Sequence, residues 1–191
     1  MTDFHEARGV SPVNGTDDRE AHSKFWIAAY TRPKSEKKAA SELSKIMKTY
    51  VATQTLIRQW SDRKKKIESV VIPMVIFAEV SSEDELLFIK KHPLILKVLT
   101  LPGQKQAAHI PAKQIERLKF MLHKSENPVN FIQGNIKLSD SVRVIRGNLL
   151  GLEGVVDRNP DGKTFIIVTI DILGGAKVSV NLSDLELISQ N

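Results

Sequence analysis

The chain of 191 residues lacks several features that would indicate common classes of protein. It contains no cysteine, which excludes a disulfide framework and a thiolate zinc site and fits a reducing cytoplasm, the expected localisation. No apolar run approaches the roughly 20 residues that a membrane-spanning helix needs, so we expect no membrane partner. The first residues include acidic side chains rather than a basic start and an apolar stretch, so we expect no signal peptide.

Patterns for catalysis and for metal binding are also missing. The five histidines are scattered, and none has a partner at metal-ligand or general-base spacing, so we expect them to be ordinary surface residues. The sequence has no nucleophile elbow, P-loop or dinucleotide fingerprint. We therefore expect a protein that is not an enzyme, with no catalytic residue, no metal and no cofactor.

The net charge of +6 is unevenly distributed along the chain. Residues 23–123 carry 19 basic and 9 acidic side chains, a net charge of +10. Residues 1–22 have a net charge of −3, and residues 124–191 have a net charge of −1. If the protein binds a polyanion, the middle of the chain is the expected site.

Hydrophobic periodicity divides the chain into a polar tail (1–22), an α+β domain (23–123), a linker (124–135) and a β-rich domain (136–191). The elements predicted for the first domain are strands over 25–31 and 51–59, a loop over 61–66, strand-like residues over 67–80 with a break at Pro73, strands over 94–101 and 105–110, and helices over 34–48, 83–91 and from Pro111 to before Asn127. This order predicts an antiparallel sheet with helices on one face.

The segment from Asp140 to Val156 is the most informative stretch of the sequence. Two β-branched runs flank a glycine-rich loop, and the residues that form this pattern are Val142, Arg143, Val144, Gly147, Gly151, Gly154 and Val155. Farther on, a β-branched run over 165–172, a glycine pair at 174–175 and a final apolar stretch predict a hairpin and a closing strand. Together these strands suffice for a small five-stranded barrel.

The Asp140–Val156 pattern resembles the KOW motif of transcription and ribosomal proteins, although a generic SH3-like β module is an alternative. With the preceding α+β domain, the chain from Phe25 to Ile188 resembles the NusG family of transcription elongation factors. That resemblance implies two domains. The first is an NGN domain, which has an antiparallel sheet with helices in a ferredoxin-like or RNP-like fold. The second is a KOW domain folded as a small SH3-like barrel.

Three segments of the first domain carry the resemblance further. Trp26 to Pro33 and Glu36 to Lys38 look like the opening strand and first helix of the family. Arg58 to Lys66 is similar to specialised paralogues that control surface-polysaccharide operons, namely the UpxY group and more distantly RfaH. Ile72 to Ala78 stands where the family has Phe-Pro-Gly-Tyr-Val-Phe-Val, with Met74 in place of a usual Gly or Asn.

The resemblance implies a transcription elongation and antitermination factor that binds RNA polymerase through its NGN domain. Val75 stands where the family has a tyrosine, and the expected polymerase-binding residues are Tyr30, Val75 and Phe77. Alternation along the strand should place Phe77 on the outer surface of the sheet, whereas the alternative places Phe77 in the core and Ile76 outside.

The expected nucleic-acid contacts, to DNA, RNA or both in the elongation complex, come from two basic clusters. Four cations cluster near the start of the first predicted helix, and we expect them to be unpaired there, where positive charge opposes the helix dipole; these are Arg32, Lys34, Lys37 and Lys38. The second cluster combines four cations of the predicted loop with the stacking indole next to it; its members are Trp60, Arg63, Lys64, Lys65 and Lys66. A solvated turn, with Trp60 packed on the sheet, is the alternative interpretation of this loop.

The KOW domain is expected to recruit a second partner, a ribosomal protein or a termination factor. The alternative function is a ribosomal-type KOW protein that binds RNA. A basic barrel would be typical of that function, and the near-neutral charge of residues 124–191 argues against it.

Overall fold

The computed structural model describes residues 24–59, 62–134, 136 and 140–188, so the predicted tail lies outside the described residues. Within these ranges there are three helices, α1 (Glu36–Leu43), α2 (Glu83–Lys91) and α3 (Ala112–Lys124). The strands are β1 (Phe25–Thr31), β2 (Lys48–Tyr50), β3 (Thr53–Gln59), β4 (Lys64–Val70), β5 (Val75–Val80), β6 (Ile95–Val98), β7 (Asn130–Gln133), β8 (Ser141–Val144), β9 (Glu153–Arg158), β10 (Thr164–Ile170), β11 (Gly174–Val180) and β12 (Leu185–Leu187). A 3-10 turn, Leu182–Asp184, precedes β12.

The first sheet is antiparallel, with strand order β2-β5-β1-β6, and helices cover both of its faces. Trp26 and Ala28 of β1 pack in one core cluster with the buried stripe of α3, whereas Ile27 and Ala29 pack in another with α1 and α2. The prediction that helices lie on one face is therefore wrong. The physical reason is that β1 is apolar on both sides, so neither face is suited to contact with water.

Helices α2 and α3 form where the sequence predicts them. The hydroxyl of Ser82 accepts a hydrogen bond from the Glu85 N–H at 3.2 Å and caps α2, whose last turn carries Lys90 and Lys91. The predicted apolar stripe of α3 is buried throughout; it consists of Ile115, Leu118, Met121 and Leu122. None of the helices in the described ranges has the length and apolar content that crossing a bilayer requires.

Helix α1 is shorter than predicted, because it ends at Leu43 rather than near residue 48. The residues Lys48–Tyr50 instead form β2, which pairs with β5 so that Tyr50 stands opposite Phe77. Backbone groups that pair with β5 are not available to continue the helix. The predicted strand over 105–110 is limited to two isolated bridges, Thr100 to Ala107 and Trp26 to Ile110.

The second sheet has six strands in the order β12-β8-β9-β10-β11-β7. Strand β7 lies within the predicted linker 124–135 and pairs with β11, with Phe131 opposite Ala176. The linker prediction is therefore wrong for these residues, whose pattern is too short to indicate a strand without its partner. The turn between β10 and β11 lies at 171–173, just before the glycine pair, and Ile172 adopts a φ of 67° there.

Candidate nucleic-acid interface

The basic cluster at residues 63–66 lies at the distal end of a two-stranded antiparallel ribbon formed by β3 and β4. The pairing runs from Thr53 opposite Val70 to Gln59 opposite Lys64, so Lys64 to Lys66 lie on a strand rather than in the predicted loop. Lys64 and Lys66 project on one side of the ribbon and Lys65 on the other. All three side chains are exposed, as is Arg63, whose guanidinium lies 3.9 Å from the carboxylate of Asp62. Trp60 lies outside the described residues.

The base of the ribbon is attached to the segment that follows α3 through Gln54, which is only 2% exposed. The Gln54 side-chain amide donates to the carbonyl of Asn127 at 2.9 Å, and its oxygen accepts from the Val129 N–H at 2.9 Å. These bonds satisfy buried polar groups on both segments and fix the direction in which the ribbon leaves the domain. The sequence gives no signal for this contact, because the partners are more than 70 residues apart.

The four predicted cations near the start of α1 have different environments. Arg32 donates to the carbonyl of Pro93 at 3.0 Å, and Lys37 forms an ion pair with Glu68 of β4. The expectation of unpaired cations is therefore wrong for Lys37, whose hydrogen bond is the main cause of the lowered pKa of Glu68. Lys34 and Lys38 are exposed. The pair Lys37–Glu68 brings α1 beside the ribbon, so the two basic clusters form one end of the domain.

The predicted polymerase-binding residues lie on the sheet face that α3 covers. Val75 and Phe77 project toward α3 together, as alternation predicts, but Val75 is 2% exposed and Phe77 is 0% exposed. The expectation of an exposed Phe77 is wrong, because α3 buries that face; Ile76, on the other face, is buried too. Tyr30 is half-buried at the edge of the same core, opposite Val75 on one side and Lys97 on the other.

A lysine of α3 lies against the aromatic side chains of this face. The ammonium of Lys119 is 4.7 Å from the ring centroid of Trp26 and 4.9 Å from that of Tyr50, a cation–π geometry. Burial raises the pKa of Tyr50. Tyr50 also stacks on Phe77, with 6.1 Å between the ring centroids.

In the second sheet, the predicted KOW-motif residues come together on β8, β9 and the loop between them. Val142 and Val144 are buried and Arg143 is exposed, whereas Val155 is half-buried on β9. Gly147 and Gly151 have φ of 78° and 86°, which favours glycine. At Gly154 a Cβ atom would lie 2.3 Å from the carbonyl oxygen of Ile167, so glycine is required there by close packing.

The second sheet contacts α3 through an ion-pair cluster that the sequence does not indicate. Glu153 of β9 pairs with Arg143 at 2.7 Å on its own sheet, with Lys113 at 3.5 Å, and with Arg117 of α3. These cations, with the hydrogen bond from Arg143 as the largest cause, lower the pKa of Glu153 to about 2. The Asp171 N–H also donates to the side-chain oxygen of Gln114 at 3.0 Å.

His92 differs from the expected surface histidines without forming a catalytic or metal site, whereas His109 is exposed as expected. His92 has an 8% exposed side chain, lies 3.0 Å from the carboxylate of Glu42, and accepts from the Leu94 N–H on its other ring nitrogen. His109 stacks on Phe25 with 3.7 Å between ring centroids. Within the described ranges, no group of three or more acidic, histidine or cysteine side chains is placed to hold a metal ion.

Comparison with known proteins identifies the family. A family model described as "Transcription termination factor nusG" matches residues 24–119, half of the chain. No curated protein matches the chain. Among solved structures, "Domain interaction in Thermotoga maritima NusG" shares 20% identity and a TM-score of 0.47, covering 88% of this chain and 99% of that one. The "MjSpt4:Spt5 complex conformation A" shares 15% identity and a TM-score of 0.29, covering 87% and 100%. On the strength of the family model, the chain belongs to the NusG family of non-catalytic transcription factors.

Proposed function

We propose that this protein is a transcription elongation and antitermination factor that binds RNA polymerase through residues 23–123 and a second partner through a C-terminal KOW domain. The observation that supports the proposal most strongly is the match of residues 24–119 to the NusG family. The glycine geometry of the β8–β9 loop is the main support for a KOW domain with an SH3-like fold.

For the polymerase contact, the structure favours Tyr30 over the two deeper residues. Tyr30 is half-buried at the edge of the α3-covered face and lies beside the exposed Lys97, so it is accessible to a partner. Val75 and Phe77 support that surface from beneath α3, and their direct contact with polymerase would require α3 to leave the sheet.

Co-purification with RNA polymerase from the native host tests this assignment. A tagged Tyr30→Ala variant should recover much less polymerase than the unmodified chain, because truncation of an aromatic anchor costs about 2 kcal/mol or more. Leu96→Ala is the matched control, since Leu96 is 54% exposed on β6 and has no assigned role. Equal recovery with Tyr30→Ala and Leu96→Ala would exclude Tyr30 as an anchor.

For nucleic acid in the elongation complex, the proposed contact is the distal end of the β3–β4 ribbon. Its exposed cations, Arg63 and Lys64 to Lys66, would bind phosphates, and Trp60 would offer a stacking face. Arg32, Lys34 and Lys38 would extend the same basic end, whereas the charge of Lys37 is partly compensated by Glu68.

Neutralisation of the ribbon tests the nucleic-acid contact. A Lys64→Gln, Lys65→Gln, Lys66→Gln variant should bind the elongation complex more weakly than the unmodified chain, with a reduced dependence on salt concentration. Lys90→Gln, Lys91→Gln, Lys105→Gln removes the same charge from exposed positions elsewhere. If the two triple variants behave alike, only net charge matters and the ribbon is a solvated element.

The second partner of the KOW domain is proposed to be a ribosomal protein or a termination factor. When the two linked domains bind the same complex, binding of one raises the effective concentration of the other at its own site, without any new interface. The alternative of a ribosomal-type RNA-binding protein gains no support from the matched segment, which lies in the first domain.

The resemblance of Arg58–Lys66 to UpxY and RfaH supports a specialised role in surface-polysaccharide operons. Deletion of the gene should lower transcripts of the distal genes of such operons and leave promoter-proximal transcripts unchanged. Uniform changes across unrelated operons would indicate a general factor.

A further inference from the structure

A groove of about 550 Å³ lies at the end of the first sheet opposite the basic clusters described above. It is bordered by the start of β1, the loop between α1 and β2, the start of β2 and one side of α3; the side chains that matter for its chemistry are Lys24, Trp26, Lys45, Lys48, Glu79 and Lys119. We call it the Trp26 groove. Trp26 and Arg32 lie near opposite ends of β1, about 20 Å apart at the rise of a strand.

The charges of the Trp26 groove favour an anion. Four lysines and two glutamates line it. One carboxylate, Glu79, is 3.1 Å from the ammonium of Lys48, and the other, Glu85, accepts hydrogen bonds from the N–H and hydroxyl of Ser81 at 2.6 and 3.1 Å. Within the described ranges, Lys24 and Lys45 form no ion pair.

Lys119 is held in place before any ligand arrives. Its ammonium lies over the rings of Trp26 and Tyr50, and no carboxylate lies within ion-pair distance of it in the part of the chain that the structure describes. A cation fixed by aromatic rings loses little conformational freedom when it binds an anion. Lys119 is therefore the best prepared cation in the groove.

The groove also has an apolar wall. Ile46, 51% exposed, stands at its rim, and Met47 and the indole of Trp26 lie deeper. A ligand that combines a negative charge with a flat apolar ring would contact both the wall and the lysines. Simple anions would leave Ile46 exposed to water.

We infer that the Trp26 groove binds the phosphate and base of a nucleotide, either within a single-stranded nucleic acid or as a free nucleotide. The phosphate would lie near Lys48 and Lys119, with Lys24 and Lys45 at the entrance, and the base would lie against Ile46. This site is separate from the ribbon contact and does not depend on polymerase, so a failure here would leave the proposed function intact.

Tryptophan fluorescence tests the inference on the full chain. In a Trp60→Phe background Trp26 is the only indole, so its emission reports the groove. Titration with a short oligothymidylate should change that emission. Lys45→Gln with Lys48→Gln should raise the Kd about tenfold and reduce the slope of log K against log salt by about 1.4, the value for two phosphate contacts of a single strand.

Two further variants keep the test decisive. Lys24→Gln with Lys45→Gln leaves the Lys48–Glu79 pair intact and should also weaken binding, while Lys90→Gln with Lys91→Gln, on α2, should leave the Kd unchanged. ATP in place of the oligonucleotide distinguishes the two sources: a response to ATP alone assigns the groove to free nucleotides. The inference is overturned if neither ligand changes the emission of Trp26, or if the α2 control loses as much affinity as the groove variants.

Discussion

Met74 is a residue whose backbone conformation conflicts with its side chain. Its φ is 59°, in the left-handed region, where a side chain costs roughly 1–2 kcal/mol. The conformation is fixed because the Met74 N–H donates to the buried carboxylate of Glu36 at 2.7 Å and its carbonyl accepts from the Thr31 N–H at 2.8 Å. The glycine or asparagine that the resemblance to the family gives at this position would suit the same backbone.

Replacement of Met74 by glycine should therefore stabilise the protein. We expect Met74→Gly to raise the free energy of unfolding by about 0.5–1 kcal/mol, because the relief of the left-handed strain exceeds the greater chain entropy of glycine. Urea denaturation measures the change. Met74→Ala keeps the Cβ atom and should bring no gain; a glycine variant less stable than the alanine variant would contradict this account.

Phe77 is a core residue, so its truncation should destabilise the fold. Because it is fully buried beneath α3 and stacks with Tyr50, Phe77→Ala should lower the free energy of unfolding by about 3–5 kcal/mol. Thermal denaturation should show a large decrease in Tm. Ile57→Ala, at a position that is 65% exposed on the ribbon, is the control and should stay within about 0.5 kcal/mol of the unmodified chain.

Among the helices and strands, the sequence predicted correctly those that depend on local signals. The Ser82 cap, the acidic first turn and the basic last turn specify α2, and the 3–4 spacing of apolar residues specifies α3. The predictions that were wrong concern segments whose conformation depends on partners distant in sequence. The residues Lys48–Tyr50 follow a helical pattern until β5 pairs with them, and Lys64–Lys66 are too polar to indicate a strand without β3.

The same dependence on partners distant in sequence explains which features of the candidate site the sequence predicted and which it did not. Sequence patterns located the basic clusters and the glycines of the β8–β9 segment, but burial of Phe77 depends on which face α3 covers. Alternation placed Val75 and Phe77 on one face correctly, yet it carries no information about a helix 35 or more residues away. The contacts of Gln54, Glu153 and Lys119 are likewise set by tertiary packing alone.

Attachment of the β3–β4 ribbon can be tested at Gln54. Gln54→Ala leaves the buried Val129 N–H without its acceptor, so we expect a loss of about 1–3 kcal/mol in the free energy of unfolding. Hydrogen exchange should accelerate in β3 and β4, since an isolated two-stranded ribbon is marginally stable. Thr55→Ala, at the exposed residue next to Gln54 on β3, is the control and should change neither the free energy of unfolding nor the exchange rates. If exchange in β3 and β4 is faster in both variants, the hydrogen bonds of Gln54 are not what holds the ribbon.

At the scale of the whole molecule, α3 connects the two sheets. Its apolar stripe packs in one core cluster with Trp26 and Phe77 of the first sheet and with residues of the second sheet. On its polar side, Lys113 and Arg117 pair with Glu153 of β9. Displacement of the second sheet would therefore break an ion-pair cluster as well as apolar contacts.

The pKa of Glu153 gives this contact a defined pH dependence. Its folded value of about 2 lies below the ordinary 4.5, so its stabilising effect is fully present above pH 4.5 and is lost as the pH falls through about 2. We expect Glu153→Gln to be less stable than the unmodified chain at pH 7, with a difference that shrinks between pH 4.5 and 2.

Urea denaturation over this pH range, with the exposed α3 variant Glu116→Gln as control, measures the effect. The control should show no such convergence with the unmodified chain. A stability difference for Glu153→Gln that is constant with pH would mean that the carboxylate is not held by its cations.

The proposal that this NusG-family chain acts on transcribing RNA polymerase can be tested by binding to a reconstituted elongation complex. Core polymerase of the native host, assembled on a nucleic-acid scaffold, is mixed with labelled chain and separated by native gel electrophoresis. If the proposal is correct, the gel should show a discrete complex containing the labelled chain, weakened by Tyr30→Ala and, at low salt, by neutralisation of Lys64 to Lys66. Absence of any such complex at micromolar concentrations of a correctly folded chain would contradict it.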